Sequence, residues 1–253
     1  MEAPVGVRFD RSVEGMQEGG PRHIVTAFDL ELRDITARIS EMGGIAEEQL
    51  GNALEAVRLR DNALAREVIA ADKRLDQLEM RLEEAAIQTL ALRQPVAQDL
   101  RQVVSALKIA STLERIGDLA KNIAKRAQVL NEGPPLKVQS SILRMGRQTQ
   151  AAFTEVLDAY TARDTELAQR VWRRDVEVDE MYNSLFRELI TYMMEDPRVI
   201  GLCSQLLFVA KNLERIGDHA TFIAEMTYFV VEGKPLGDER PKGNAFGEMP
   251  DFD

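Results

Sequence analysis

Cysteine is almost absent from this chain of 253 residues. Cys203 stands alone, so no intrachain disulfide can form and a reducing compartment is expected. Uninterrupted apolar runs are also missing. Nothing approaches the roughly 18 residues that a membrane helix needs, which argues against direct membrane insertion. The first 23 residues carry Gly, Glu and Asp where a signal peptide would have an apolar core, so export is not expected and a cytoplasmic location is. No run of Lys or Arg exceeds two residues, and the formal net charge is −10. That balance is wrong for broad contact with phosphate backbones, so nucleic acid is not expected as a partner. No basic anion-binding motif is visible either, which argues against direct phosphate sensing. Signatures of catalysis are missing as well. The chain has no Gly-rich Lys-Ser/Thr phosphate loop, no dinucleotide fingerprint and no Glu-x-x-His pair of the di-iron type.

What is present favours helices. Hydrophobic residues make up 45 % and charged residues 29 %, which suits a globular chain. Aromatics reach only 6 %, while Ala, Leu, Glu and Arg abound, and these lose little freedom in a helix. The apolar series Leu64, Val68, Ala71, Leu75, Leu78, Leu82, Ala85, Thr89 and Leu92 steps by three and four and defines one buried seam. Asp61 is placed as an N-cap. Pro95 fits a first helical turn. Asn131-Glu132-Gly133-Pro134-Pro135 is the strongest break in mid-chain. Helices are therefore expected near 26–59, 62–93, 96–130, 138–162, 165–195 and 198–231. Gly43-Gly44 is expected to loosen the first of them.

The second half repeats the first. Leu113-Glu114-Arg115-Ile116-Gly117-Asp118 recurs letter for letter as Leu213-Glu214-Arg215-Ile216-Gly217-Asp218. Met42-Gly43, Arg60-Asp61, Asp72 and Asp76 recur as Met145-Gly146, Arg163-Asp164, Asp175 and Asp179. A repeat of about 100 residues is a duplicated domain and far exceeds a solenoid unit. The expected fold is all-α, two tandem homologous three-helix bundles. Its parts are a flexible arm over 1–22, bundles over 23–132 and 133–232, and a loose tail over 233–253.

Each half holds two acidic pairs spaced four apart: Asp72/Asp76 and Glu114/Asp118, then Asp175/Asp179 and Glu214/Asp218. Residues i and i+4 share a helix face. The pairs follow the core positions Ala71, Leu75, Leu113 and Gly117 by one residue, so they border the seam where two helices meet. Like charges one turn apart repel by roughly 1–3 kcal/mol. A hard cation held by carboxylate oxygens would relieve that. Gly117 and Gly217 are unfavourable inside helices by roughly 1 kcal/mol, and close helix approach is the compensation expected of them. The plainer reading is a solvated acidic face, with Arg115 and Arg215 as surface ion-pair partners and Lys121 and Lys125 nearby. His219 reads as a boundary residue, Cys203 as a small core residue, and Trp172 and Tyr182 as packing.

These residues resemble the PhoU family of phosphate-signalling regulators, over a span from about 24 to 232. The third and sixth helices of that family carry a pattern close to Leu-Glu-Arg-Ile-Gly-Asp-His-Ala-x-Asn-Ile-Ala. Leu113 to Ala124 and Leu213 to Ala224 each match it with one departure: Leu119 stands for the His, and Phe222 for the Asn. The resemblance implies iron, zinc, manganese or magnesium held by Asp72, Asp76, Glu114, Asp118, Asp175, Asp179, Glu214 and Asp218. It implies a non-enzymatic negative regulator of phosphate uptake and phosphate-starvation signalling, an adaptor between the ATPase subunit of the phosphate ABC importer and a phosphate sensor histidine kinase. A homodimer is implied too. The alternatives left open by the residues are a metal-dependent hydrolase built on the carboxylates and a purely structural helical scaffold.

Overall fold

The computed structural model describes residues 21–237, with side chains from Ala27 onward. Residues 1–20 of the expected arm and 238–253 of the expected tail lie outside the described residues, while Pro21 and Arg22, expected in the arm, begin the first helix. The order is α1 (Pro21–Leu59), α2 (Asn62–Arg93), α3 (Ala97–Glu132), α4 (Gln139–Ala162), α5 (Thr165–Glu195), a 3₁₀ turn (Pro197–Val199) and α6 (Ile200–Glu232). Among the described residues there is no strand, and no helix is long and apolar enough to cross a membrane.

The sharp turns reuse one device in both halves. Arg60 and Arg163 adopt positive φ, 58° and 54°, and reverse the chain. Asp61 then accepts from the backbone N–H of Ala63 and Leu64 at 2.8 and 3.1 Å. Asp164 does the same for Glu166 and Leu167 at 3.0 and 2.9 Å. Each carboxylate satisfies first-turn donors that no helical carbonyl can reach. We expect Asp61→Ala and Asp164→Ala each to lose about 1 kcal/mol in urea unfolding, with Asn at either site keeping most of it. Equal stability of the Ala and Asn variants would show that these caps contribute little.

Pro95 departs from expectation. It sits before α3, whose N-cap is Val96, while Gln94 in the left-handed region ends α2. In the second half, Pro197 does open a helical turn, the 3₁₀ segment capped by Asp196.

One core runs through both halves. It is joined where α3 packs on α6 and α1 on α4. The second contact is reciprocal. A Cβ on Gly43 would lie 2.7 Å from Leu157 Cδ2, and a Cβ on Gly146 would lie 2.5 Å from Leu54 Cδ2. Each helix inserts a leucine into the other's glycine hole. Gly43-Gly44 therefore does not loosen α1, which runs unbroken; Gly43 is the hole that admits Leu157. Arg163 continues the joint, donating to Gln102 Oε1 at 2.6 Å, while Gln102 Nε2 donates to Thr36 Oγ1 at 3.2 Å. Cys203 is fully buried in the first turn of α6, as expected.

Candidate functional site: an acidic seam in each half

Each third helix brings its Glu-x-x-x-Asp pair against the neighbouring second helix. In the first half this joins Glu114 and Asp118 of α3 to Asp72 and Asp76 of α2. Gly117 lets the helices close. A Cβ there would meet Leu75 Cδ2 at 2.5 Å and Gln49 Oε1 at 2.8 Å. Close approach, expected from the sequence, holds at this glycine. At Gly217 the nearest atoms, Asp175 Oδ1 and Val178 Cγ1, stand at 3.4 Å, ordinary contact distance.

Asp72 is only 8 % exposed. It lies in the seam itself, where Ala71 was expected. A buried carboxylate needs a partner, and Lys121 supplies it. The Lys121 ammonium donates to Asp72 Oδ2 and to Asp118 Oδ1, both at 2.5 Å. Burial pulls its pKa down, but the hydrogen bonds and charges of the two carboxylates outweigh this and hold it above the ordinary lysine range. The pair that Asp118 makes thus comes from the lysine three residues after it.

The upper end of the same seam is different. Glu114 is pushed up to about 7, first by burial and then by the charges of Asp118, Glu79, Asp76 and Asp72. Glu79 is also raised, chiefly by burial. Glu79 belongs to this carboxylate group although it stands three residues from Asp76 and so falls outside the four-residue spacing.

The second half arranges the same letters differently. Asp175 is 5 % exposed and accepts from Thr221 Oγ1 at 3.0 Å. Glu214 has a lysine of its own. The Lys211 ammonium stands 2.8 Å from Oε1 and 2.7 Å from Oε2, and also 5.3 Å from the Tyr182 ring centroid. Glu214 is nonetheless raised, because burial exceeds the relief from Lys211 and Asp218 adds repulsion. Asp179, Asp218 and His219 are half-buried along this seam. Trp172 donates to Glu225 at 3.0 Å, so it is both packed and satisfied.

The PhoU domain family matches twice, over residues 39–127 and 142–227, and each match contains one acidic seam. The chain belongs to the PhoU family. The phosphate-specific transport system accessory protein PhoU homolog of Caulobacter vibrioides is 53 % identical over 87 % of this chain and 96 % of its own length. The phosphate-specific transport system accessory protein PhoU of Escherichia coli is 39 % identical over 87 % of this chain and 93 % of its own. The crystal structure of PhoU from Pseudomonas aeruginosa superposes with a TM-score of 0.80 at 40 % identity, covering 82 % of this chain and all of that one.

Against the PhoU pattern, the two departures have local meanings. Leu119 is buried and belongs to the core. Phe222 is half-buried on α6. Among the described residues of this PhoU chain, no three Asp, Glu, His or Cys side chains converge as a ready set of metal ligands. In the first half the reason is visible: at Asp72 and Asp118 the space between the carboxylates is filled by an ammonium. Oxygen-only donors along both seams remain the right chemistry for a hard cation.

Proposed function

We propose that this PhoU family member is an accessory protein of phosphate-specific transport. It acts in the cytoplasm as a non-enzymatic negative regulator of phosphate uptake and phosphate-starvation signalling. It adapts the ATPase subunit of the phosphate ABC importer to a sensor histidine kinase. The observation that carries this reading is likeness over the whole length, to relatives that bear the transport-accessory name.

The surface is compatible with docking. The α2–α3 hairpin exposes Leu92 and Val96 at its tip, and the α5–α6 hairpin exposes Met194 and Ile200 at the equivalent place. A homodimer or a protein partner would cover them. The carboxylates fit regulation better than hydrolysis. Metal-dependent hydrolysis needs an open coordination position beside a base, while Asp72, Asp118 and Glu214 already hold lysines. In this reading, iron, zinc, manganese or magnesium would bind among the eight carboxylates and bias one arrangement of the partners over another.

The test is capture of the purified chain by the importer's ATPase subunit, at high and at low phosphate. We expect binding at high phosphate, weakened at least several-fold by Glu214→Gln with Asp218→Asn. Loss of the protein is expected to leave phosphate uptake unrestrained when phosphate is plentiful. Absence of binding to both the ATPase subunit and the kinase, with phosphate control intact after deletion, would sink the reading.

A further inference from the structure

The two identical hexapeptides carry their lysines at opposite ends. Lys211 precedes Glu214 by three, and the matching position of the first half is Ser111. Lys121 follows Asp118 by three, and the matching position of the second half is Thr221. Both spacings place the ammonium on its carboxylate's helix face. Their effects differ. Lys211 serves a carboxylate of its own helix, and its ammonium also faces a tyrosine ring. Lys121 reaches across the seam and ties α3 to α2 through Asp118 and Asp72.

We propose that Lys121 is the built-in counter-ion of the Asp72–Asp118 end of the first acidic seam and takes the place of a metal ion there. The inference narrows the metal reading given above to the remaining carboxylates, and it stands if that reading fails. Metal–oxygen bonds to hard ions run about 2.0–2.6 Å. An ammonium that donates to an oxygen of each aspartate stands between the two carboxylates, in the place such an ion would take. A tethered cation also gives up less freedom on ordering than an ion captured from solution. An arriving cation would have to expel it against its own charge. Thr221 cannot do this work: its hydroxyl donates to Asp175 but brings no charge.

The test is Lys121→Thr in the full chain, which installs the residue of the second half. Tm is measured in EDTA and in Mn²⁺, and bound Mn²⁺ is counted after dialysis. The variant is expected to lose roughly 5 °C in EDTA, to regain most of it in Mn²⁺, and to bind one more Mn²⁺ per chain than the wild type. Adding Asp72→Asn should abolish the extra ion. Lys121→Arg, which keeps the charge, should bind no extra ion. A variant that refolds only with Mn²⁺ gives the same result in stronger form. Wild-type Tm in EDTA, no extra Mn²⁺, or refolding that neither Mn²⁺ nor Mg²⁺ rescues would overturn the proposal. A wild-type chain that binds no Mn²⁺ would instead end the metal reading of the remaining carboxylates and leave this result intact.

Discussion

Alanine at Gly117 is expected to destabilise the protein by about 2 kcal/mol, and alanine at Gly217 to leave it unchanged or up to about 1 kcal/mol more stable. Both glycines sit in the same hexapeptide, so local propensity predicts the same gain at both. The sign is set across the helix interface. At Gly117 the new methyl group would sit 2.5 Å from Leu75 and 2.8 Å from Gln49. Leu75 is fully buried and Gln49 nearly so, so neither has open space to retreat into. At Gly217 the methyl group would meet its neighbours at 3.4 Å. Urea unfolding of both variants decides the matter. Equal changes at the two sites would show that the two interfaces are not differently packed.

In chelator-treated protein, stability is expected to fall as pH rises from about 4.5 to 8, and Glu114→Gln to remove part of that fall. Below the ordinary carboxyl range Glu114 is neutral in both folded and unfolded chains and contributes nothing. Between 4.5 and about 7 the unfolded chain releases the proton first, so rising pH favours unfolding. Above about 7 the folded state holds a carboxylate beside Asp118, Glu79, Asp76 and Asp72, and the penalty is complete. Glu114 is partly exposed, and solvent screening cuts that penalty to about 1 kcal/mol. Denaturant midpoints at pH 5 and pH 8 give the test. The variant should match the wild type at pH 5 and exceed it at pH 8. An advantage equal at both pH values would mean that packing, and not charge, explains it.

Asp72 shows how far periodicity reads. The spacing of apolar residues in α2 identifies Val68, Leu75, Leu78, Leu82 and Thr89 correctly as buried. It then selects Leu64, Ala71 and Ala85, while the buried positions are Ala65, Asp72 and Ala86. Leu92, placed at the end of the seam, is exposed. A pattern of apolar letters cannot select an aspartate as buried. Only a lysine from another helix makes that position tolerable, and its arrival is not a local event. Gly43 makes the same point. In sequence it is a helix-weakening residue; in the fold it is a hole filled by Leu157 from α4.

What the sequence determined by itself is everything that repeats along the chain. Six helices, their capped turns, the duplication and the placing of acidic pairs beside apolar seams all follow from spacing, because a helix imposes its period on each residue independently of the rest. Tertiary structure decided what the differences between the two copies do. It set which glycine is tightly gripped, which carboxylate is buried, and that Lys121 joins carboxylates of two helices while Lys211 pairs with a carboxylate of its own. Those outcomes depend on distances between helices, and a difference of about an ångström there reverses the sign of a methyl group.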